Sequence, residues 1–203
     1  MAYIASSDVK QWGGIPDTDT ADDAELTLLI ARAQKFIDTY TGRTFETDTD
    51  NPTTRYYSAS RDVAGGRLWL DKDLFSIGTD GITAGTDALA STDYVYEPRN
   101  DAPYYAITLT ANTPETWGNA NSDGDYENVI SVHGDWAYSS TAPADIQHAC
   151  LRLVKYFYKL GRVTDETADR PIILESGAVV QAADFPKDVL AILNYYKYNP
   201  VVS

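Results

Sequence analysis

Ser7-Asp8-Val9-Lys10 has the Ser-x-x-Lys spacing that can set a serine nucleophile beside a lysine base. That chemistry also needs Ser-Asp-Asn and Lys-Thr-Gly partners, and the chain has neither run. Two histidines, His133 and His148, and one cysteine, Cys150, are the next candidates. A zinc site needs three or four convergent ligands, and on a helix two residues of separation points Cys150 away from His148. Cys150 falls among apolar residues at helical spacing, which predicts a small buried hydrophobe rather than a nucleophile. No phosphate-cradling glycine loop and no Gly-x-Ser-x-Gly elbow occurs. Asn119 to Asp125 resembles a calcium loop at its third, fifth and sixth positions. Its first position is Asn119 where the motif has Asp, and its twelfth is Ile130 where a bidentate Glu belongs. A polar turn is the expectation, with a weak cation site as the alternative. The residues therefore predict no catalytic centre, no cofactor, no metal and no enzyme.

Two other groupings could bind rather than react. Arg152, Lys155, Lys159 and Arg162 recur at helical spacing and form a basic stripe. It is either a solvated helix face or a contact surface for an acidic partner or a neighbouring copy. Trp69, Trp117 and Trp136, with many of the 15 Tyr, could offer stacking faces to a ligand or build a sheet core.

Charge restricts the partners. The 203 residues hold 30 Asp and Glu against 16 Lys and Arg, a formal net charge of −14. Such a chain is not expected to hold nucleic acid by neutralising phosphates, nor to bind an anionic membrane. Residues 1–53 hold 10 acids and 4 bases, residues 54–142 hold 13 and 5, and residues 143–203 hold 7 of each. The excess thus lies entirely in the first 142 residues. It either keeps the protein soluble or faces a polyanion that must not stick, while the balanced remainder meets a protein partner. A single Cys allows no internal disulfide, the N-terminus lacks the pattern of a secretory signal, and no apolar run is long enough to span a membrane.

The elements that would position these residues alternate helix, sheet and helix. Ser7 to Trp12 predicts a short helix capped by Ser6 or Ser7 and stopped by Gly13-Gly14. Asp22 and Glu25 have capping-box spacing ahead of a second helix, whose Leu26, Leu29, Ile30, Ala33, Phe36, Ile37 and Tyr40 follow a 3.6-residue period. Gly42 suits its left-handed stop. From Thr47 to Ala142 the pattern becomes aromatic and β-branched. Strands are expected at 55–57, 67–70, 75–77, 94–96, 105–109 and 129–132, with turns at Gly65-Gly66, Asp80-Gly81, 98–103 and 119–125. A third helix opens near Pro143 and buries Ile146, Ala149, Cys150, Leu153, Val154, Phe157 and Leu160, ending at Gly161. After a polar loop over 163–171, residues 172–174 and 179–181 could pair around Gly177. A last helix runs from Pro186 to Asn199-Pro200, with Val189, Ile192, Leu193 and Tyr196 on one face. The fold class expected is α+β, a helical bundle from the N- and C-terminal helices (1–45 and 143–203) with an inserted small antiparallel β-sheet or barrel (46–142).

Tyr3-Ile4, Ser7 to Trp12, Asp22 to Leu26 and Ile37 to Arg43 together resemble the opening of the head–tail connector proteins of tailed bacteriophages, also called adaptor or head-completion proteins. Gly134 to Tyr138, Pro143 to Leu151, Tyr156 to Lys159, Phe185 to Val189 and Tyr195-Tyr196 resemble the family's later strand and helices. These are soft helix and turn patterns, and residues 46–142 match least. The resemblance implies a structural virion protein at the head–tail interface, assembled in the host bacterial cytoplasm. It implies a homo-oligomeric ring of about twelve copies that docks on the portal protein, meets a tail-side stopper or tail protein, and lets DNA pass without specific binding. It also implies that the C-terminal segment docks on the portal, here Tyr195, Tyr196, Lys197, Tyr198, Pro200, Val201 and Val202. The alternative is a β-rich ligand- or carbohydrate-binding module.

Overall fold

The computed structural model describes residues 2–47, 52–161, 172–173, 179–180 and 185–198. The fold is α+β, and the chain divides into two compact units, residues 2–42 with 143–198, and residues 43–142.

The first unit is helical. It begins with α1 (Ser6–Gly13) and α2 (Asp23–Thr41). Helix α1 starts one residue earlier than the serines suggest. Its N-cap is Ala5, whose N–H donates to Asp8 Oδ2 at 2.7 Å, so neither Ser6 nor Ser7 caps the helix and a first-turn carboxylate reaches back to the N-cap N–H instead. Gly14, at φ +70°, closes it. Asp22 is the N-cap of α2 but makes no side-chain cap. Its Oδ2 accepts instead from the Tyr158 hydroxyl at 2.8 Å, so the expected capping box gives way to a tertiary bond. Gly42, at φ +72°, ends α2 in the left-handed form its position suggested.

The apolar period of α2 puts Leu26, Ile30, Ala33 and Ile37 inside, each 5% exposed or less. They pack on α4 (Ala144–Gly161), which buries Ile146, Ala149, Cys150, Leu153 and Val154 at 0%. Helix α5 (Lys187–Tyr195) adds Val189 and Leu193, also at 0%. Each Leu, Ile and Val among these stabilises by roughly 1.5–3 kcal/mol when removed from water, which makes this face the main support of the unit. Pro186 is the N-cap of α5, and the helix stops at Tyr195, four residues before the expected Asn199. Backbone pairing of β9 (Ile172–Ile173) with β10 (Val179–Val180) is antiparallel, as the hairpin reading anticipated. The turn of that hairpin, the loop over 163–171 and Asn199-Pro200 lie outside the described residues.

The second unit is β-rich. In chain order it holds β1 (Thr53–Tyr57), α3 (Ala59–Asp62), β2 (Val63–Ala64), β3 (Arg67–Leu74), β4 (Ser76–Ala84), β5 (Asp87–Leu89), β6 (Tyr94–Glu97), β7 (Tyr104–Leu109) and β8 (Ile130–Asp135). Two four-stranded antiparallel sheets form, ordered β1-β8-β4-β5 and β2-β3-β7-β6. Leu68, Leu70, Leu74 and Ile107 from one, and Tyr57, Ile82, Ile130 and Val132 from the other, join in a single buried cluster. Alternation along the strands supplies it, because successive side chains point to opposite faces.

Asp80-Gly81 is not a turn between strands. Strand β4 runs through it, and its register against β8 shifts between Ile77 and Ile82. Gly81 takes φ +65° there, so the glycine serves a bulge within the strand. The real hairpin turn follows at Gly85, φ +67°, where a Cβ would collide with the Ala120 carbonyl.

Candidate docking and subunit-contact surfaces

The residues that suggested chemistry are absorbed into structure. Lys10 is 5% exposed, pairs with Asp23 at 2.5 Å and donates to the Asp17 carbonyl at 3.4 Å, so the Ser-x-x-Lys spacing serves an α1–α2 tie. His133 lies in β8 with Nδ1 2.8 Å from Thr54 Oγ1 and Nε2 3.7 Å from Asp80, while His148 is exposed on α4. Cys150 is fully buried, and its thiol is pushed up to about 12, first by burial and then by the nearby Asp38 charge. Among the described residues no group of three or more His, Cys, Asp or Glu is placed to hold a metal. Among them, too, no helix is long and apolar enough to cross a membrane.

The Asn119–Asp125 segment is a polar turn. Asn121 Oδ1 accepts from the N–H groups of Asp123 and Asp125 at 3.0 and 2.9 Å, which spends on the backbone an oxygen a cation would need.

The tryptophans are mostly occupied. Trp117 is 5% exposed and donates to the Gly66 carbonyl at 3.2 Å, so it offers no stacking face. Trp136 donates to the Thr53 carbonyl at 2.9 Å and carries the Arg55 guanidinium 5.1 Å over its ring. Trp69 lies stacked on Tyr105, ring centroids 6.1 Å apart.

The basic stripe splits. Arg152 grips Asp188 on α5, with Nε–Oδ2 2.9 Å and Nη2–Oδ1 3.1 Å. The hydrogen bonds from Arg152 hold the Asp188 carboxyl below the usual carboxylate range. Lys155 turns the other way, its Nζ 4.4 Å above the Trp12 ring, and Lys159 lies on the same side. Arg162 lies outside the described residues. Sequence spacing could not find Trp12 and Ile15 as neighbours of these lysines, because that proximity is tertiary.

The end of α5 presents the expected docking tyrosines in part. Tyr195 is 82% exposed, and its ring meets that of Tyr196 edge-on at 5.1 Å. Tyr196 donates to Asp145 Oδ1 at 3.0 Å, Lys197 Nζ is 5.9 Å from the Tyr40 ring, and the Tyr198 N–H donates to the Thr41 carbonyl at 2.7 Å. These contacts anchor residues 196–198 on the helical unit and leave Tyr195 outward. Pro200, Val201 and Val202 lie outside the described residues.

Six chains of solved structures resemble this one, among them a chain from the neck of an empty GTA particle computed with C6 symmetry. That likeness has a TM-score of 0.61 at 13% sequence identity, covering 98% of this chain and 92% of the other. No curated protein sequence matches significantly. Residues 5–67 match the family model described as Phage gp6-like head-tail connector protein, so the connector resemblance of the opening helices is borne out there.

Proposed function

We propose that this chain is a structural virion protein, a ring-forming head–tail adaptor that docks on the portal and extends the DNA channel towards the tail. The observation that carries this reading is the family match of residues 5–67, joined to a fold likeness over 98% of the chain with a chain from a phage-like particle's neck. The role is one of assembly, with no turnover. The net charge of −14 supports it, because a channel wall that repels phosphate lets DNA slide. Portal docking is assigned to Tyr195 to Tyr198 with Pro200, Val201 and Val202, and partner contact to the α4 bases. The C6 symmetry belongs to the related neck, and a ring of either six or twelve copies is compatible with it. The tail-side partner is a stopper or tail protein, and the site of action is the virion neck, after assembly in the host cytoplasm.

Native mass measurement with and without purified portal tests the reading. Rings bound to portal are the expected result, and removal of residues 195–203 should abolish their association with it. A chain that ignores portal at high concentration sinks the adaptor role.

A further inference from the structure

A groove of about 290 Å³ opens on the helical unit between α1, α2 and α4. Its wall is apolar, with Leu26 and Val154 at its base. Trp12 and Ile15 remain 42% and 38% exposed at its mouth, and Lys155 and Lys159 line it. Large apolar groups left half in water beside two ammonium groups mark a contact surface rather than a finished core.

The β-rich unit carries a surface of opposite character. Tyr126 is 60% exposed and stands in the run Asp123-Gly124-Asp125-Tyr126-Glu127. The run is held in shape before any partner arrives. Asn121 Oδ1 takes the Asp123 and Asp125 N–H groups, Asp125 Oδ1 takes those of Tyr126 and Glu127 at 2.7 and 3.0 Å, and Ser60 holds Glu127 at 3.0 Å. None of these bonds uses the Asp123 carboxylate. Residues 43–142 hold 16 acids and 6 bases, net −10, whereas the helical unit holds 14 and 10, net −4.

We propose that the Tyr126 loop of one copy docks in the Trp12–Lys155–Lys159 groove of the next, the occupant being a second copy of this chain. The tyrosine supplies the buried anchor, and the flanking carboxylates meet the lysines and set orientation. Two different patches then join copy to copy, a heterologous contact that generates a ring when the rotation closes. The proposal rests on the ring reading above and names the surfaces that would make it.

The test uses the full chain, mixed as unlabelled and ¹⁵N-labelled protein and coupled with a zero-length carbodiimide, beside native mass measurement over a concentration series. The expected result is a mixed-isotope cross-link from Asp123 or Asp125 to Lys155 or Lys159, and assemblies that shrink at high salt. Tyr126→Ser should weaken self-association by about tenfold or more, as loss of an interface anchor does. The double variant Lys155→Glu, Lys159→Glu alters only exposed side chains. It should weaken association comparably, and a second chain carrying Asp123→Lys should partly restore it in a mixture. Assemblies unchanged in both variants, or cross-links confined to single copies, overturn the contact. A chain monomeric throughout, with no inter-copy link, also overturns it but leaves portal-templated assembly standing. Failure to bind portal removes the adaptor role instead.

Discussion

Arg152 on α4 and Asp188 on α5, 36 residues apart in the chain, form a two-point clasp between the two helices, Nε to Oδ2 at 2.9 Å and Nη2 to Oδ1 at 3.1 Å. The same α5 ends in the exposed Tyr195 proposed to meet the portal, so the clasp helps fix where that tyrosine points. It engages the first member of the basic stripe within the helical unit.

The clasp has a pH signature. Hydrogen bonds from Arg152 depress the folded Asp188 value below the ordinary one. A depressed carboxyl contributes stability above its unfolded value and loses it as the pH falls through its folded value. In wild type the Asp188 carboxyl, followed by NMR, should titrate below the usual carboxylate range. Arg152→Gln should move it back up and leave fold and neutral-pH stability nearly unchanged. An unshifted titration in the variant would contradict the clasp.

Arg43 and Asp73 behave differently because burial dominates. Asp73 is 6% exposed, and Arg43 Nη1 lies 2.6 and 2.7 Å from its two oxygens. Burial nevertheless raises the Asp73 value, with the Arg43 charge and hydrogen bond opposing it. Arg43→Met would leave a lone buried carboxylate and should cost about 3 kcal/mol or more at neutral pH. With its partner gone, the folded Asp73 value rises further. A raised carboxyl favours the folded state below its unfolded value and loses that advantage as the pH rises through the folded one. Chemical denaturation at two pH values should therefore show a larger deficit at pH 7 than near pH 4.

Much of the helical unit was legible because one period dominates it. Leu26, Ile30, Ala33 and Ile37 declare a buried face, and Gly42 a stop, from residues within one helix. The β-rich unit was less so. Asp80-Gly81 has turn composition, and only its partner β8 shows that it is a bulge in a continuous strand. Strands β2 and β5 have two and three residues, too short for alternation to register. The site was legible only in outline. Spacing put Arg152, Lys155 and Lys159 on one helix face, but Asp188 and Trp12 divide them, and both are tertiary neighbours. The run around Tyr126 looked like a failing cation loop, because composition alone does not reveal which oxygens the turn consumes.

Cys150 should be chemically silent in the folded protein. It is 0% exposed in the α4 face, and its thiol is pushed up to about 12, first by burial. The thiolate is the nucleophile, so at pH 8 both access and ionisation oppose reaction. Alkylation followed by mass spectrometry should give no modified native protein over hours and complete modification in denaturant. Rapid native labelling would mean that the α2–α4 interface opens readily.

Gly134 in β8 has no room for a side chain. A Cβ there would lie 2.5 Å from the Ser76 carbonyl oxygen and 2.7 Å from Leu74 Cδ1. Gly134 pairs with Ile77 on one side and Thr53 on the other, so relief would require β4 to move within a ladder tied on both sides. Backbone yields less readily than a flexible side chain, and overpacking of this kind costs about 1–3 kcal/mol. Gly134→Ala should accordingly lower the denaturation midpoint of the β-rich unit, while Gly124→Ala, at φ +80° in an open turn with nothing within 4 Å of the added Cβ, should show only backbone strain. An unchanged midpoint in Gly134→Ala would mean that strand crowding is not what selects glycine at position 134.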